Sequence, residues 1–262
     1  MLEISDGTLW AQVMEEGAYL YSLKKNGKDV ILPGKERKTR GGMAILVPYA
    51  NRVKDGVYTW EGATYYLPKN SEGHAIHGLV MDKVFEVREK GQERAVLETL
   101  LSHPGYPTTL RVSVTYSVVF GSLDVTISVE NVGERSAPLV VGAHPYFLVR
   151  GKWSVSPFRV RRLKAENKIP TGEVEEFKLV QGDYDDTFVI EDNVVELRSE
   201  YSTVTIEKSD MNYVQVYTGQ PGAVAVEPMS GAPDAYHNGL GLVALSSKER
   251  RDFNFVISAR VV

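Results

Sequence analysis

From Thr8 onward the chain repeats one pattern, short runs of alternating apolar and polar residues closed by glycine-bearing turns, and no run of ten or more residues has helical periodicity. Thr8-Leu-Trp-Ala-Gln-Val-Met14 and Ala18-Tyr-Leu-Tyr-Ser-Leu23 open the series, with Lys25-Asn-Gly-Lys28 as a turn. Hairpins follow at Val57 to Leu67 around Glu61-Gly62, at Val84 to Leu101 around Lys90-Gly91, and at Leu110 to Val129 around Gly121-Ser122. In the second half the strand candidates are Leu139 to His144, Phe188 to Ile190, Val194 to Leu197, Thr203 to Glu207, Tyr213 to Tyr217, Ala223 to Val226, Leu240 to Leu245 and Phe253 to Val262. About twenty short strands without a fixed-period repeat predict an all-β fold, a large antiparallel β-sandwich rather than a propeller. No proline-rich or low-complexity linker divides the sequence, so residues 1–262 read as a single domain.

Composition then removes several kinds of chemistry. The absence of cysteine excludes disulfides, thiolate metal sites and cysteine nucleophiles. A formal charge of −4 gives no electrostatic footprint for nucleic acid. The one basic run, Arg159, Arg161, Arg162 and Lys164, alternates like a solvated strand face. No segment reaches the roughly 18 apolar residues of a membrane span, and Met1-Leu-Glu-Ile-Ser-Asp does not resemble a signal peptide. The expectation is therefore a cytoplasmic protein, with no nucleic-acid or membrane partner.

Motifs for other reactions are also missing. His74 and His77 are three apart, but in extended chain that spacing points them to opposite faces, so a metal site is not expected. There is no nucleophile elbow, phosphate-binding loop or dinucleotide fingerprint. What remains is Glu227, a carboxylate at the end of the apolar run Ala223 to Val226, where Pro228 is expected to stop the ladder. Burial at such a junction raises a carboxyl group towards the range of a general base. His77 and His144 likewise sit beside backbone punctuation in apolar surroundings.

Taken in order, Arg40-Gly-Gly, Pro48-Tyr-Ala-Asn-Arg-Val-Lys-Asp-Gly56, Ala75-Ile-His-Gly78, Gly105-Tyr-Pro107, His144-Pro-Tyr-Phe147, Tyr184-Asp-Asp-Thr-Phe188 and Glu227-Pro-Met-Ser-Gly-Ala-Pro-Asp-Ala-Tyr236 resemble the aldose 1-epimerase (mutarotase) family over nearly the whole chain. The resemblance implies that family's large antiparallel sandwich. It implies Glu227 as general base and His144 as general acid, with His77, Arg52, Asp185 and Asn51 binding the sugar. The acid and base are expected on opposite sides of the pyranose. Ring opening needs a base for the anomeric hydroxyl and an acid for the ring oxygen, so no cofactor is implied. The partner is a small-molecule sugar, and the protein is expected to be a monomer or homodimer. Tyr49 and His237 are candidates for the pocket edge, and Trp60 is a candidate for stacking on a sugar face, against which stands the commoner core position of a strand tryptophan. Two departures bear on sugar preference: His74 stands where the family often has Asn, and Phe85 where it often has Trp.

Two alternatives stay open. One is a hexose-6-phosphate 1-epimerase, because Arg40-Gly-Gly also resembles the branch of the family in which arginine meets phosphate. A phosphate dianion normally requires two or more convergent cations, and Arg52 is already allotted to the ring. With the loop around Arg40 expected to face solvent, the unphosphorylated aldose is preferred. The other alternative is a non-catalytic carbohydrate-binding protein on the same fold, against which the retention of both Glu227 and His144 argues.

Overall fold

The alternating runs pair into two large antiparallel sheets in the computed structural model, which describes residues 1–262. Eleven strands form one sheet and eight the other. Three two-stranded ribbons complete the pairing, among them Arg52–Val53 with Ala75–Ile76. No helix is long and apolar enough to cross a membrane. The fold class is thus the all-β sandwich that the alternation predicts.

The side of each strand is set by its pattern. In the eight-stranded sheet, Leu110–Val119 and Ser122–Asn131 alternate buried with half-buried residues, as expected where one face meets a core and the other meets water. Val112, Val114, Val125, Ile127 and Phe255 from that sheet share one core cluster with Phe147, Phe188, Val214, Val216, Val224 and Val226 from the larger sheet. Burying each such side chain stabilises by about 1.5–3 kcal/mol. That apolar layer fixes which face of the larger sheet is left for the site.

The middle of the larger sheet is covered on both faces. Strands Gly142–Leu148 and Ala223–Met229 are buried almost throughout, and their neighbours are Met43–Leu46 on one flank and Tyr213–Tyr217 on the other. Here the boundaries differ from those read in the sequence. Pro228 does not stop the strand, and His144 does not end one: both Glu227 and His144 lie inside strands. The reason is the outer pairing, His144 with Ala44 and Glu227 with Gln215, which holds each strand in the sheet although a proline follows both residues. Between the partners Gly142 with Met229 and Tyr146 with Ala225, the pairing of these two strands with one another lapses. Pro145 and Pro228, which have no N–H to donate, sit in that lapse.

Smaller differences follow the same logic. The segment from Leu240 contributes only Val243–Leu245 as strand, paired with Ala137–Leu139, because Gly239 and Gly241 hold positive φ angles and keep the chain turning. The basic run pairs across its own hairpin, Arg162 with Glu175 and Lys164 with Glu173, as a solvated face should.

Candidate active site

Register across the larger sheet assembles the site in two rows. Ala44, His144, Glu227, Gln215 and Thr187 lie side by side on successive strands: Ala44 pairs with His144, Gln215 with Glu227 and with Thr187, and the unbroken register sets His144 across from Glu227. Two residues along each strand, the next row is Tyr146, Ala225, Tyr217 and Asp185. Period-two alternation turns both rows to the face away from the core. Ala225 is small enough for Tyr146 and Tyr217 to meet edge to face over it, with ring centroids 6.3 Å apart.

A loop brings the third side. His77 and Asn51 both adopt positive φ, 62° and 57°, and the His77 N–H donates to the Asn51 carbonyl at 2.9 Å. Left-handed backbone at residues other than glycine costs on the order of 1 kcal/mol each, so the surrounding fold imposes it. Gly78 follows at φ 79°, where a Cβ would collide with the Val47 carbonyl oxygen; glycine is required for this close approach. The result sets the His77 ring edge-on to that of His144, 5.2 Å between centroids.

These elements enclose a cleft of about 480 Å³, lined among others by Asn51, Arg52, His77, His144, Asp185 and Glu227. His144 Nε2 lies 3.2 Å from Glu227 Oε1, with side chains only 5% and 2% exposed. The two groups therefore stand side by side on adjacent strands and approach from one side. They do not flank a ring from opposite sides, as the sequence reading has it, because cross-strand neighbours on one face leave no room for a pyranose between them.

Burial dominates the electrostatics. Loss of water raises the Glu227 carboxyl well above its usual range, with repulsion from Asp185 adding to it. The same loss lowers His144 to about 3 and carries His77 well below an ordinary histidine, with His144 nearby adding to the latter shift. Glu227 Oε2, His144 Nδ1 and His77 Nδ1 are buried and have no hydrogen-bond partner in the protein. Each such group costs about 1–3 kcal/mol, a penalty that a polyhydroxylated ligand can relieve.

Around this pair runs a belt of polar contacts. Thr187 donates to Gln215 Oε1, which orients the amide so that its Nε2 donates to Asp185 Oδ1 at 2.8 Å. Asp185 Oδ2 meets Lys168 at 3.3 Å, and Lys168 meets Glu72 at 2.8 Å. The other Glu72 oxygen accepts from Arg52 Nε at 2.9 Å, and Arg52 Nη1 donates to Asn51 Oδ1 at 3.1 Å. Beside Tyr217 stands Arg40, whose Nη1 donates to the Tyr217 hydroxyl at 2.9 Å and which makes no ion pair with a carboxylate. It lines the cleft; the expectation that its loop simply faces solvent does not hold.

Three candidates lie elsewhere. Tyr49 is buried edge to face on Tyr236. His237, half exposed, bonds Asp234 at 2.6 Å, which raises its pKa. Trp60 donates its indole N–H to Ser136. The two departures from the family pattern are also away from the cleft: His74 Nδ1 accepts the Asp55 N–H at 2.9 Å, and Phe85 is core. Sequence reasoning passed over Gln215, Tyr146, Tyr217, Lys168 and Glu72. For Gln215 and Tyr217 a signal existed, since the short connection of residues 218–222 sets their strand beside the one carrying Glu227. For Lys168 and Glu72, on a turn and a loop distant in sequence, there was none.

An all-β sandwich with a buried carboxylate–imidazole pair at the floor of a polar cleft is an arrangement suited to acid–base chemistry on a small polar molecule. Residues 1–258 match the sequence model of the family described as Aldose 1-epimerase, and the chain belongs to that family. It is 30% identical to Uncharacterized protein YihR of Escherichia coli (strain K12) over 94% of this chain and 89% of that protein. With galactose mutarotase of Rattus norvegicus it shares 31% identity over 42% of this chain and only 33% of that protein. The fold is that of a galactose mutarotase-like protein from Lactobacillus casei, with a TM-score of 0.86, 22% identity, and coverage of 99% of this chain and 100% of that one.

Proposed function

We propose that this protein is an aldose 1-epimerase that interconverts the α and β anomers of a hexose by opening and reclosing its ring. The observation that carries the reading is the buried contact of 3.2 Å between Glu227 and His144. In a cyclic hemiacetal the anomeric hydroxyl oxygen and the ring oxygen share one carbon, so a base and an acid that serve them must sit next to each other. Glu227 takes the proton of the anomeric hydroxyl as the C1–ring oxygen bond breaks, and His144 protonates the ring oxygen as it departs. Rotation about C1–C2 and the reverse transfers give the other anomer, with no proton gained or lost overall.

The shifts caused by burial suit this exchange. With Glu227 raised and His144 lowered, the pair's acidic proton rests on the carboxyl, and its passage across the 3.2 Å contact to Nε2 leaves Glu227 as the charged base and His144 as the acid. Acid and base can then trade places between ring opening and reclosure, so that the forward and return reactions use one site. His77, Arg52, Asn51 and Asp185 hold the sugar hydroxyls. Because they position rather than transfer protons, His77→Asn and Arg52→Ala are expected to raise KM and lower kcat together. Steady-state polarimetry checks this, and a change confined to kcat would assign those residues a different role.

A second reading, an aldose bearing an acidic group such as a 6-phosphate, is favoured by the position of Arg40. Its guanidinium lines the cleft with a tyrosine hydroxyl as its partner and no carboxylate to neutralise it, and Arg37 also lines the cleft. The deciding measurement is anomer exchange by NMR with glucose, galactose and glucose 6-phosphate. For a neutral substrate, Arg40→Ala changes kcat/KM for glucose and galactose less than about threefold, and wild type shows no preference for the phosphate. A strong wild-type preference for the 6-phosphate that Arg40→Ala abolishes, with rates on neutral sugars unchanged, establishes the acidic substrate instead.

A further inference from the structure

The tip of the hairpin formed by Arg159–Glu166 and Ile169–Lys178 is built in an unexpected way. Its two connecting residues, Asn167 and Lys168, both hold positive φ, 48° and 67°. A two-residue turn of this kind favours glycine at the second position, because a side chain there crowds the backbone. Lysine in its place sacrifices stability locally, and what it gains is visible at the end of the side chain. The ammonium meets Glu72 Oε1 at 2.8 Å, on a loop 96 residues away in sequence, and Asp185 Oδ2 at 3.3 Å, on another strand. It also lines the cleft.

Glu72 completes the connection. Residues 70–74 form a tight turn in which the Asn70 side-chain oxygen accepts the N–H groups of Glu72 at 3.0 Å and His74 at 3.1 Å. So placed, Glu72 divides its two oxygens between Arg52 and Lys168, and this contact holds its pKa down to about 2, with Arg52 the larger influence and Lys168 next. Arg52 is only 7% exposed and is held at Nε, so the far side of its guanidinium stays aimed at Asn51 and the cleft. Of the three ammonium donors of Lys168, Glu72 and Asp185 occupy two.

We propose that Lys168 is a specificity-determining residue of the cleft, delivered by the hairpin tip to bind a ligand oxygen with its third donor, and that Glu72 is the positioning residue that fixes both Lys168 and Arg52. The inference rests on the proposed epimerase reading, since it concerns the same site. It assigns the hairpin a function that sheet pairing does not require: it closes one side of the site with a cation whose reach is set from two directions. Asp185, gripped by Gln215 and Lys168, is then presented to a sugar hydroxyl with its rotamer fixed.

The test compares Lys168→Met, Lys168→Gly, Lys168→Arg and Glu72→Gln with wild type, using anomer exchange by NMR and thermal melting. Lys168→Met is expected to raise KM at least tenfold while kcat falls less than threefold, and Lys168→Arg to bring KM back to within about threefold of wild type. Lys168→Gly relieves the turn, so its melting temperature equals or exceeds that of wild type while its KM rises as in Lys168→Met. A purely structural lysine would not separate stability from KM in this way. Glu72→Gln is expected to raise KM and lower kcat, because Arg52 loses its charged anchor. Wild-type KM in both Lys168→Met and Glu72→Gln overturns the inference and leaves the epimerase reading intact. A wild-type protein that does not accelerate anomer exchange in any aldose tried overturns the reading, and the inference with it.

Discussion

Glu227→Gln is expected to lower kcat by at least about 10²-fold, roughly 2.7 kcal/mol of transition-state stabilisation, while KM changes little. The substitution keeps the size of the side chain and a carbonyl-type oxygen opposite His144, but the amide cannot take the anomeric proton. Stability moves the other way. Burial raises the native pKa of Glu227, so the native carboxyl prefers to be protonated, and its contribution is lost as pH rises through that raised value. Glutamine carries no such charge, and the variant should melt at or above the wild-type temperature at pH 8. Turnover within threefold of wild type would move the base to another residue. A loss of turnover accompanied by a lower melting temperature would mean that the substitution damaged the fold and not the chemistry.

The second large effect is on acid stability. His144 titrates near 3 in the native protein against 6.5 for a free histidine, so between those values the unfolded chain binds a proton that the native one refuses. The contribution is whole well above pH 6.5 and falls as pH drops, by on the order of 2 kcal/mol between pH 6.5 and 4.5. His77 shifts in the same direction for the same reason, whereas His237, raised by Asp234, opposes it. Urea midpoints at pH 7 and 4.5 measure the loss. His144→Asn should flatten the profile over this window and His77→Asn should flatten part of what remains. An unaltered slope in His144→Asn would show that the imidazole is solvated and readily charged, contrary to its 4% exposure.

Much of the fold was legible because alternation is a strong signal and glycine turns mark its ends. The site was legible in part. His144, Glu227, His77 and Arg52 announce themselves as polar residues inside apolar runs or beside them, and the cleft brings all four together. Strand ends were misread at Pro228 and His144 because a proline normally ends pairing, and the sequence does not show that each strand is held by its outer neighbour. Tyr49 and His237 misled for another reason: each belongs to a cluster of its own, with Tyr236 or Asp234, that adjoins the site elements without opening on the cleft. Lys168 and Glu72 were out of reach because ordinary surface residues acquire their meaning from meeting across 96 positions of chain.

The prolines at 145 and 228 leave the site strands unladdered where His144 faces Glu227. In most of the sheet, interstrand separation is clamped by backbone hydrogen bonds, and a side chain can shift only by changing rotamer. Here no backbone pairing ties the two strands to one another, and each is held only by its outer partner. The outer partners on either flank keep the strands in register, so the spacing between imidazole and carboxyl is fixed from outside the pair. The 3.2 Å contact of His144 with Glu227 thus depends on what packs on the two flanks. Substitutions at Ala44 or Gln215, which touch neither proton directly, would tune the rate through it.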